Sequence, residues 1–459
     1  MLRNVIKGMA IGSAALMLTA GAANADLIEV NLFGASAQYS FWTNAAADFL
    51  EDQGCASGDI YTLDTEVQSR DTGAAVCAGN SAVALNGTTL SGAGDTNGNT
   101  IIVRYTSKAS YDGIRAVSES DNADWDADDC HTTTGNWGYR LQANLGNATV
   151  TGQELTLPDT AASLSCQDVH IGASDVASET FGQTSSGQLE GPNGGGAFSN
   201  TVVYPDDLPS MQVSDGFQNI RPVVVPFGFF ANNGATDGSY DAVPIDTMTR
   251  LQAVSLLSGQ IANWSDFDPS VDMRVVVCHR HAGSGTVATL NAAVFRGDAS
   301  LPISEVSKAV ADYYALFGQM VPEIYFNEGS SDMMRCVGQT KGAIGYADFD
   351  KCIPGTNCVT KGYGQIKRVY FPCGPDCRPN HSPFLTQKEL VQNGIDSFWS
   401  AQWLYYKTAE PTATKTLITA LGTFASNEVN LPSSKADYWS SQNAMNYEKA
   451  NDFALPKKK

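Results

Sequence analysis

One stretch, Arg280-His281-Ala282-Gly283-Ser284-Gly285-Thr286, holds a fixed cation, two hydroxyls and a glycine-rich turn. A guanidinium is planar and permanently charged, and its fork of donors suits an oxyanion. Ser284 and Thr286 add hydroxyl donors. A glycine-rich turn opening a helix can aim backbone N–H groups at the same anion. The chemistry to expect is recognition of a small oxyanion. Such a turn needs a strand before it and a helix after it. Arg274-Val-Val-Val-Cys278 reads as a buried strand, and Thr286 to Phe295 as a helix with Val287, Leu290, Ala293 and Val294 on one face. Gly-Ser-Gly-Thr is also ordinary loop composition, so the case depends on partners elsewhere in the chain.

Three other stretches repeat the layout. Leu27 to Phe33 alternates as a strand, ends in Gly34-Ala35-Ser36, and leads to a helix marked by Trp42, Ala45, Ala46, Phe49 and Leu50. Thr100 to Tyr105 is a strand, and Ser107 to Gly113, with Ser110 inside it, follows and leads into Ile114 and Val117. Val169 to Asp175 is a strand ending on a carboxylate. Arg221 to Asn232 is strongly apolar, is broken by Pro222 and Pro226, and reads as a strand passing between lobes.

Helices are expected where Met248, Leu251, Val254 and Leu257 recur, capped by Asp246 or Thr247 and ended by Gly259. Others are expected at 304–317, at 331–337 and at 415–426, with an aromatic-rich helix from the Thr386/Glu389 capping box to Tyr406. The stretches near 54–99, 118–166 and 178–214 are rich in Gly, Ser, Thr, Asn and Asp and read as loop-rich insertions. Strands alternating with helices make the chain α/β.

With 459 residues, 43% of them hydrophobic, the chain can bury more than one core or one two-lobed unit. Arg3 and Lys7 precede an apolar run from Met9 to Ala20, and Ala23-Asn24-Ala25 is a small-x-small cleavage site. Residues 1–25 therefore read as an export leader. The ten cysteines suit an oxidising compartment and imply five disulfides, most simply between sequence neighbours, although spacing leaves connectivity open. The formal charge of −20 argues against nucleic acid and anionic membranes, and no cofactor motif is present.

Taken in order, Gly34-Ala-Ser36, Tyr105 through Gly113, Ile171-Gly-Ala-Ser-Asp175, Val223 through Asn232, Leu257 through Asp266, Arg280-x-x-Gly-Ser-Gly-Thr286 and Gly342-Ala-Ile-Gly-Tyr346 resemble the periplasmic phosphate-binding protein of ABC transporters. That family lies within the type 2 periplasmic binding protein superfamily. The resemblance covers most of residues 27–350 and implies a two-lobed α/β fold with a two-strand hinge. Lobe one would be 26–225, lobe two 226–346, and 347–459 would return to lobe one. It implies ligand contacts at Ser36, Ser110 and Asp175 from lobe one, and at Arg280, Ser284, Gly285 and Thr286 from lobe two. The implied ligand is inorganic phosphate or arsenate, and the implied partner an inner-membrane ABC permease, served by a periplasmic monomer.

Those residue types fit the task. A buried oxyanion needs every oxygen hydrogen-bonded. A carboxylate such as Asp175 tolerates an anion only if that anion donates a proton, which favours phosphate or arsenate over sulfate. Singly, Ser36 and Ser110 read equally as helix caps, Asp175 as a turn former and Arg280 as an ion-pair partner. The family usually has an acid two residues after the arginine, and this chain has Ala282. The family also usually has small residues where Tyr111 and Asp112 stand. Rival readings are a surface oxyanion-binding module, a hydrolase built on Ser284, His281 and Asp175, and a metal site on Cys278, His279 and His281. Ala282 breaks the Gly-x-Ser-x-Gly pattern, and two histidines are few for a metal.

Overall fold

A computed structural model describes residues 25–68, 70–120, 130, 135, 137–181, 208–296, 313–327, 329–352, 356–371 and 386–459. The expected leader, most of the 178–214 insertion, most of the 304–317 helix and the Cys373–Cys377 loop lie outside the described residues.

The first lobe contributes β1 (Leu27–Ala35), β2 (Ile60–Val67), β3 (Arg70–Cys77), β4 (Thr100–Lys108), β5 (Thr149–Thr151), β6 (Glu154–Thr156), β7 (Ile171–Ser174) and β8 (Phe217–Ile220). Helices α1 (Tyr39–Asp52) and α2 (Ser110–Ser118) follow β1 and β4. The second lobe contributes β9 (Val223–Asn232), β10 (Val276–Arg280), β11 (Glu323–Asn327), β12 (Ala343–Asp348) and β13 (Ile366–Val369). Its helices are α3 (Arg250–Leu257), α4 (Gly285–Leu290), which continues as a π-helical stretch over Asn291–Phe295, and α5 (Ser330–Gln339). The chain closes with α6 (Gln387–Gln392), β14 (Trp399–Ala401), β15 (Trp403–Lys407) and α7 (Thr412–Ala425).

The first sheet has nine strands in the order β8-β15-β7-β1-β4-β3-β2-β6-β5. At its centre β1 runs parallel to β4 and β7, with Gly34 level with Ser107 and Ala173. Parallel strands in this register end together, so Ser36, Ser110 and Asp175 emerge at one sheet edge. Two glycines let α2 lie directly on these strands. Gly34 has φ +134, open to glycine but not to a side chain, and a Cβ at Gly113 would meet Phe33 O at 2.7 Å.

The second sheet is β11-β10-β12-β9-β13, with β10 parallel to both β11 and β12. Because β13 pairs with β9 at Phe229 to Asn232, this sheet reaches past residue 346, the boundary the sequence suggests. β9 is buried along its whole length. Its first half pairs with β14 and its second half with β12 and β13, so one strand serves both ends of the junction. The chain crosses between lobes twice, from β8 to β9 and from β14 to β15. Gln402 at the second crossing donates its N–H to Val223 O at the first, at 2.8 Å.

Three expectations need correction. Much of 54–99 is not loop: β2 and β3 form an antiparallel hairpin that joins β4, with Thr72 opposite Thr106. Its small residues are buried because α1 covers them, and a Cβ at Gly73 would lie 2.6 Å from Thr43 Oγ1. The Thr386/Glu389 capping box does open a helix. That helix stops at Gln392, ahead of Gly394 with φ +65, and the aromatic run to Tyr406 is strand instead. α3 is capped by Thr249 with Gln252, not by Asp246 or Thr247, and this turn of the helix leaves Leu251 exposed.

Among the described residues four neighbour-paired disulfides are present: Cys55–Cys77, Cys130–Cys166, Cys278–Cys336 and Cys352–Cys358. Cys278–Cys336 closes a separation of 58 residues, for which chain entropy implies about 4 kcal/mol of stabilisation. It also staples β10 to α5. The segment after Tyr447 touches the hinge and both lobes. Lys449 Nζ donates to Ser397 O at 2.8 Å, Asp452 accepts from Ala177 N at 2.7 Å and from Thr180 Oγ1 at 2.8 Å, and Phe453 O accepts from Arg296 Nη1 at 3.3 Å. Among the described residues, no helix is long and apolar enough to cross a membrane.

Candidate functional site

The carboxyl-terminal edges of the two sheets' parallel strands face each other. In open α/β sheets this is where ligands bind. From the first sheet come Ser110 and Asp175, both buried, with Asp175 N–H donating to Ser110 Oγ at 3.1 Å. From the second come Arg280, Ser284, Gly285 and Thr286, all buried. β10 extends to Arg280, two residues beyond the expected strand end, so the guanidinium leaves from a rigid position. Gly285 seats directly against the opposite lobe. A Cβ there would sit 2.6 Å from Asp175 Cβ, 2.8 Å from Asp175 Oδ2, and nearer still to Ser110 Oγ.

Ser36 is placed differently. It is half-buried at the rim, 3.4 Å from Ser330 Oγ. Two residues on, fully buried Gln38 reaches inward, donating to Ser174 O at 2.9 Å and accepting from Trp42 Nε1 at 2.9 Å. The turn after β1 therefore supports the Asp175 strand end through Gln38, while Ser36 faces a cleft.

The residue at 282 also finds an explanation. Arg280 Nη1 donates to Ser330 Oγ at 2.7 Å, so a hydroxyl on the first turn of α5 takes part in orienting the arginine. Ala282 is then free to be apolar. It packs in a cluster with Tyr111, Phe33, Ile114 and Val176 of the other lobe. Beside it, Tyr111 N–H donates to Gly283 O at 3.1 Å across the interface. The departures at 282 and 111 are two halves of one inter-lobe contact.

Burial pushes the Asp175 carboxyl up from its ordinary 3.8 to about 7. Asp348 pushes the same way, against Arg280, Ser110 and Gln402. Burial likewise raises Asp348, with Lys351 opposing. Asp175 Oδ1 and Asp348 Oδ1 are buried without a hydrogen-bond partner among the described residues. A carboxyl whose folded value is raised lends its stability at low pH and loses it as pH climbs from about 4 through about 7. In Asp175→Asn, thermal melts across that window should show a flatter decline than the parent. An unchanged pH profile would remove Asp175 from the account.

The histidines serve the scaffold. Burial drops His279 to about 3, and its Nδ1 lies 2.9 Å from Tyr346 OH, which also accepts from Arg280 N–H at 3.3 Å. Burial, with help from Arg280 and Lys108, holds His281 well below its usual range. Cys278 is committed to its disulfide, which removes it from a metal site with these histidines. Among the described residues no group of three or more His, Cys, Asp or Glu could hold a metal.

Sequence reasoning missed Ser330, Gln402, Gln38 and Asp348. Ser330 could have been found, because Gly329-Ser330 opens α5 directly after β11 in the same strand–turn–helix layout.

No family model and no curated protein matches the chain. Among solved structures, it is similar to a phosphate ABC transporter substrate-binding protein from Clostridium perfringens with bound phosphate, at 13% identity, covering 86% of this chain and 92% of that one, with a TM-score of 0.41. It is similar to a phosphate-binding protein from Stenotrophomonas maltophilia at 12% identity, covering 87% and 84%, with a TM-score of 0.41. An ABC-type phosphate transport receptor from Vibrio cholerae matches at 12% identity over 55% and 73%, with a TM-score of 0.31.

Proposed function

We propose that the chain captures a tetrahedral oxyanion, phosphate or its analogue arsenate, between its two lobes and hands it to an inner-membrane ABC permease. The observation that carries this reading is the meeting of Arg280, Ser284, Gly285 and Thr286 from one lobe with Ser110 and Asp175 from the other, in a buried place. The distant likeness to solved structures adds nothing to it. Arg280 would supply charge, and the hydroxyls and turn N–H groups would supply donors at fixed positions. Asp175, when ionised, would accept the proton that phosphate carries and repel sulfate, which has none. Residues 1–25, read as an export leader, would send the protein to the periplasm.

Calorimetry on refolded, ligand-free protein is the test. At pH 8, phosphate should bind with sub-micromolar Kd and sulfate should give no heat. At pH 6, with Asp175 largely protonated, the discrimination against sulfate should narrow. Failure to bind any tetrahedral oxyanion overturns the reading. Stimulation of a reconstituted permease's ATPase separates a transport receptor from a free-standing binding module. Product release from simple phosphoesters would favour the hydrolase alternative.

A further inference from the structure

We propose, resting on the oxyanion reading above, that Gln402 is a positioning residue of the jaw. Its side-chain amide keeps Asp175 as the acceptor for the ligand's proton and ties that carboxyl to the hinge. Register places it there. β7 and β15 run antiparallel with Ser174 opposite Trp403, so one step further along the ladder Asp175 stands opposite Gln402. Directly opposed residues point to the same face of a sheet, within reach of each other's side chains. Both are buried, Gln402 completely.

A buried primary amide has two N–H groups and one oxygen to satisfy. Gln402 Nε2 donates to Ser400 Oγ at 3.3 Å, and the amide also acts on the Asp175 carboxyl as a hydrogen-bond donor. Gln402 Oε1 is buried with no partner among the described residues. Turned the other way, that oxygen would accept from the Ser400 hydroxyl and from a protonated Asp175, since a hydroxyl can donate or accept. The amide thus has one orientation for each ionisation state of the carboxyl.

Other groups face the same carboxyl. Asp348 on β12 pushes it up, while Arg280 on β10, Ser110 on α2 and Gln402 hold it down. Tyr105 on β4 also faces it, with its hydroxyl donating to Ala35 O at 2.6 Å. A bound oxyanion would draw Arg280 and Ser110 to itself. Gln402 reaches the carboxyl from the crossing between lobes, so it keeps its hold when the jaw is full. Its backbone N–H is the one that donates to Val223 O, and Ser400 pairs with Val225 on the same strand, β9. The proton state of Asp175 is thereby registered where the lobes pivot.

The experiment compares the full-length mature protein with Gln402→Met and Gln402→Leu, which keep the bulk and remove the amide. Sulfate is the probe, because it has no proton to gain or lose near neutral pH. In the parent, sulfate binding should appear as pH falls through about 7. In both variants that onset should move up by about one pH unit, a tenfold change in proton affinity. Thermal melts should give the same shift without ligand: the stability that Asp175 loses as pH rises should be lost at correspondingly higher pH. With Asp175→Asn already in place, Gln402→Met should move neither midpoint. A packing defect would lower stability at every pH and leave both midpoints alone, so unmoved midpoints in the two variants overturn the inference. Absence of any oxyanion binding by the parent would strike the oxyanion reading, while the melts alone still support or overturn the hold of Gln402 on Asp175.

Discussion

Arg280→Met should weaken phosphate binding by on the order of a hundredfold or more, about 3 kcal/mol, while the protein still folds. The guanidinium is the cation that reaches the jaw from β10, and charge-assisted hydrogen bonds to an oxyanion are worth roughly 1.5–3 kcal/mol each. Arg280 also holds the Asp175 carboxyl down, against burial and Asp348. Without it that carboxyl should move further up and keep its proton through neutral pH. Two readouts then move together: calorimetric affinity falls, and the pH-dependent loss of stability shifts to higher pH. Methionine keeps much of the apolar stem, so a general packing defect would lower stability at every pH equally. Retained phosphate affinity with an unmoved pH profile would overturn the role given to Arg280.

Gly285→Ala should separate the lobes. The added methyl would stand 2.6 Å from Asp175 Cβ, well inside van der Waals contact, and its neighbours are a buried strand end and the start of α2. Overpacking of this kind costs roughly 1–3 kcal/mol. Here the strain can be relieved by rotation about the two inter-lobe crossings, so it should appear as a shifted open–closed balance and not as unfolding. Small-angle scattering should give a larger radius of gyration, and phosphate affinity should fall by about tenfold or more. Unchanged dimensions with full affinity would show that Gly285 does not form the contact between lobes.

The parts of the site legible in the sequence are those made by local geometry. A strand, a turn with small or hydroxyl residues and a helix can be read in one window, which marks the Arg280–Thr286 turn and the strand ends near Ser110 and Asp175, while the family resemblance is what implies that Ser110 and Asp175 touch a ligand. Ser330, Gln402 and Asp348 enter the site through register and pairing across the chain, and periodicity carries no record of either. Ser36 shows the same limit at short range, since the turn after β1 sends Gln38 inward and Ser36 to the rim. The β2–β3 hairpin was hidden by composition, because Thr, Gly and Ala under α1 look like loop until the covering helix is known. Trp399 to Lys407 reads as a helix face until β9 and β7 claim it as strand.

The segment running from Lys449 to Phe453 has a mechanical consequence. It is anchored on the hinge through Ser397, on the first lobe through Ala177 and Thr180, and on the second through Arg296. A short tether fastened at three points limits the angle through which two bodies can swing before one fastening lets go. The single 3.3 Å bond from Arg296 to Phe453 O is the weakest of the three, set against two bonds at Asp452. Wide opening should therefore release the second lobe first and leave the tether riding on the first. The travel of the jaws is thus set by about five residues near the chain's end as well as by the hinge itself.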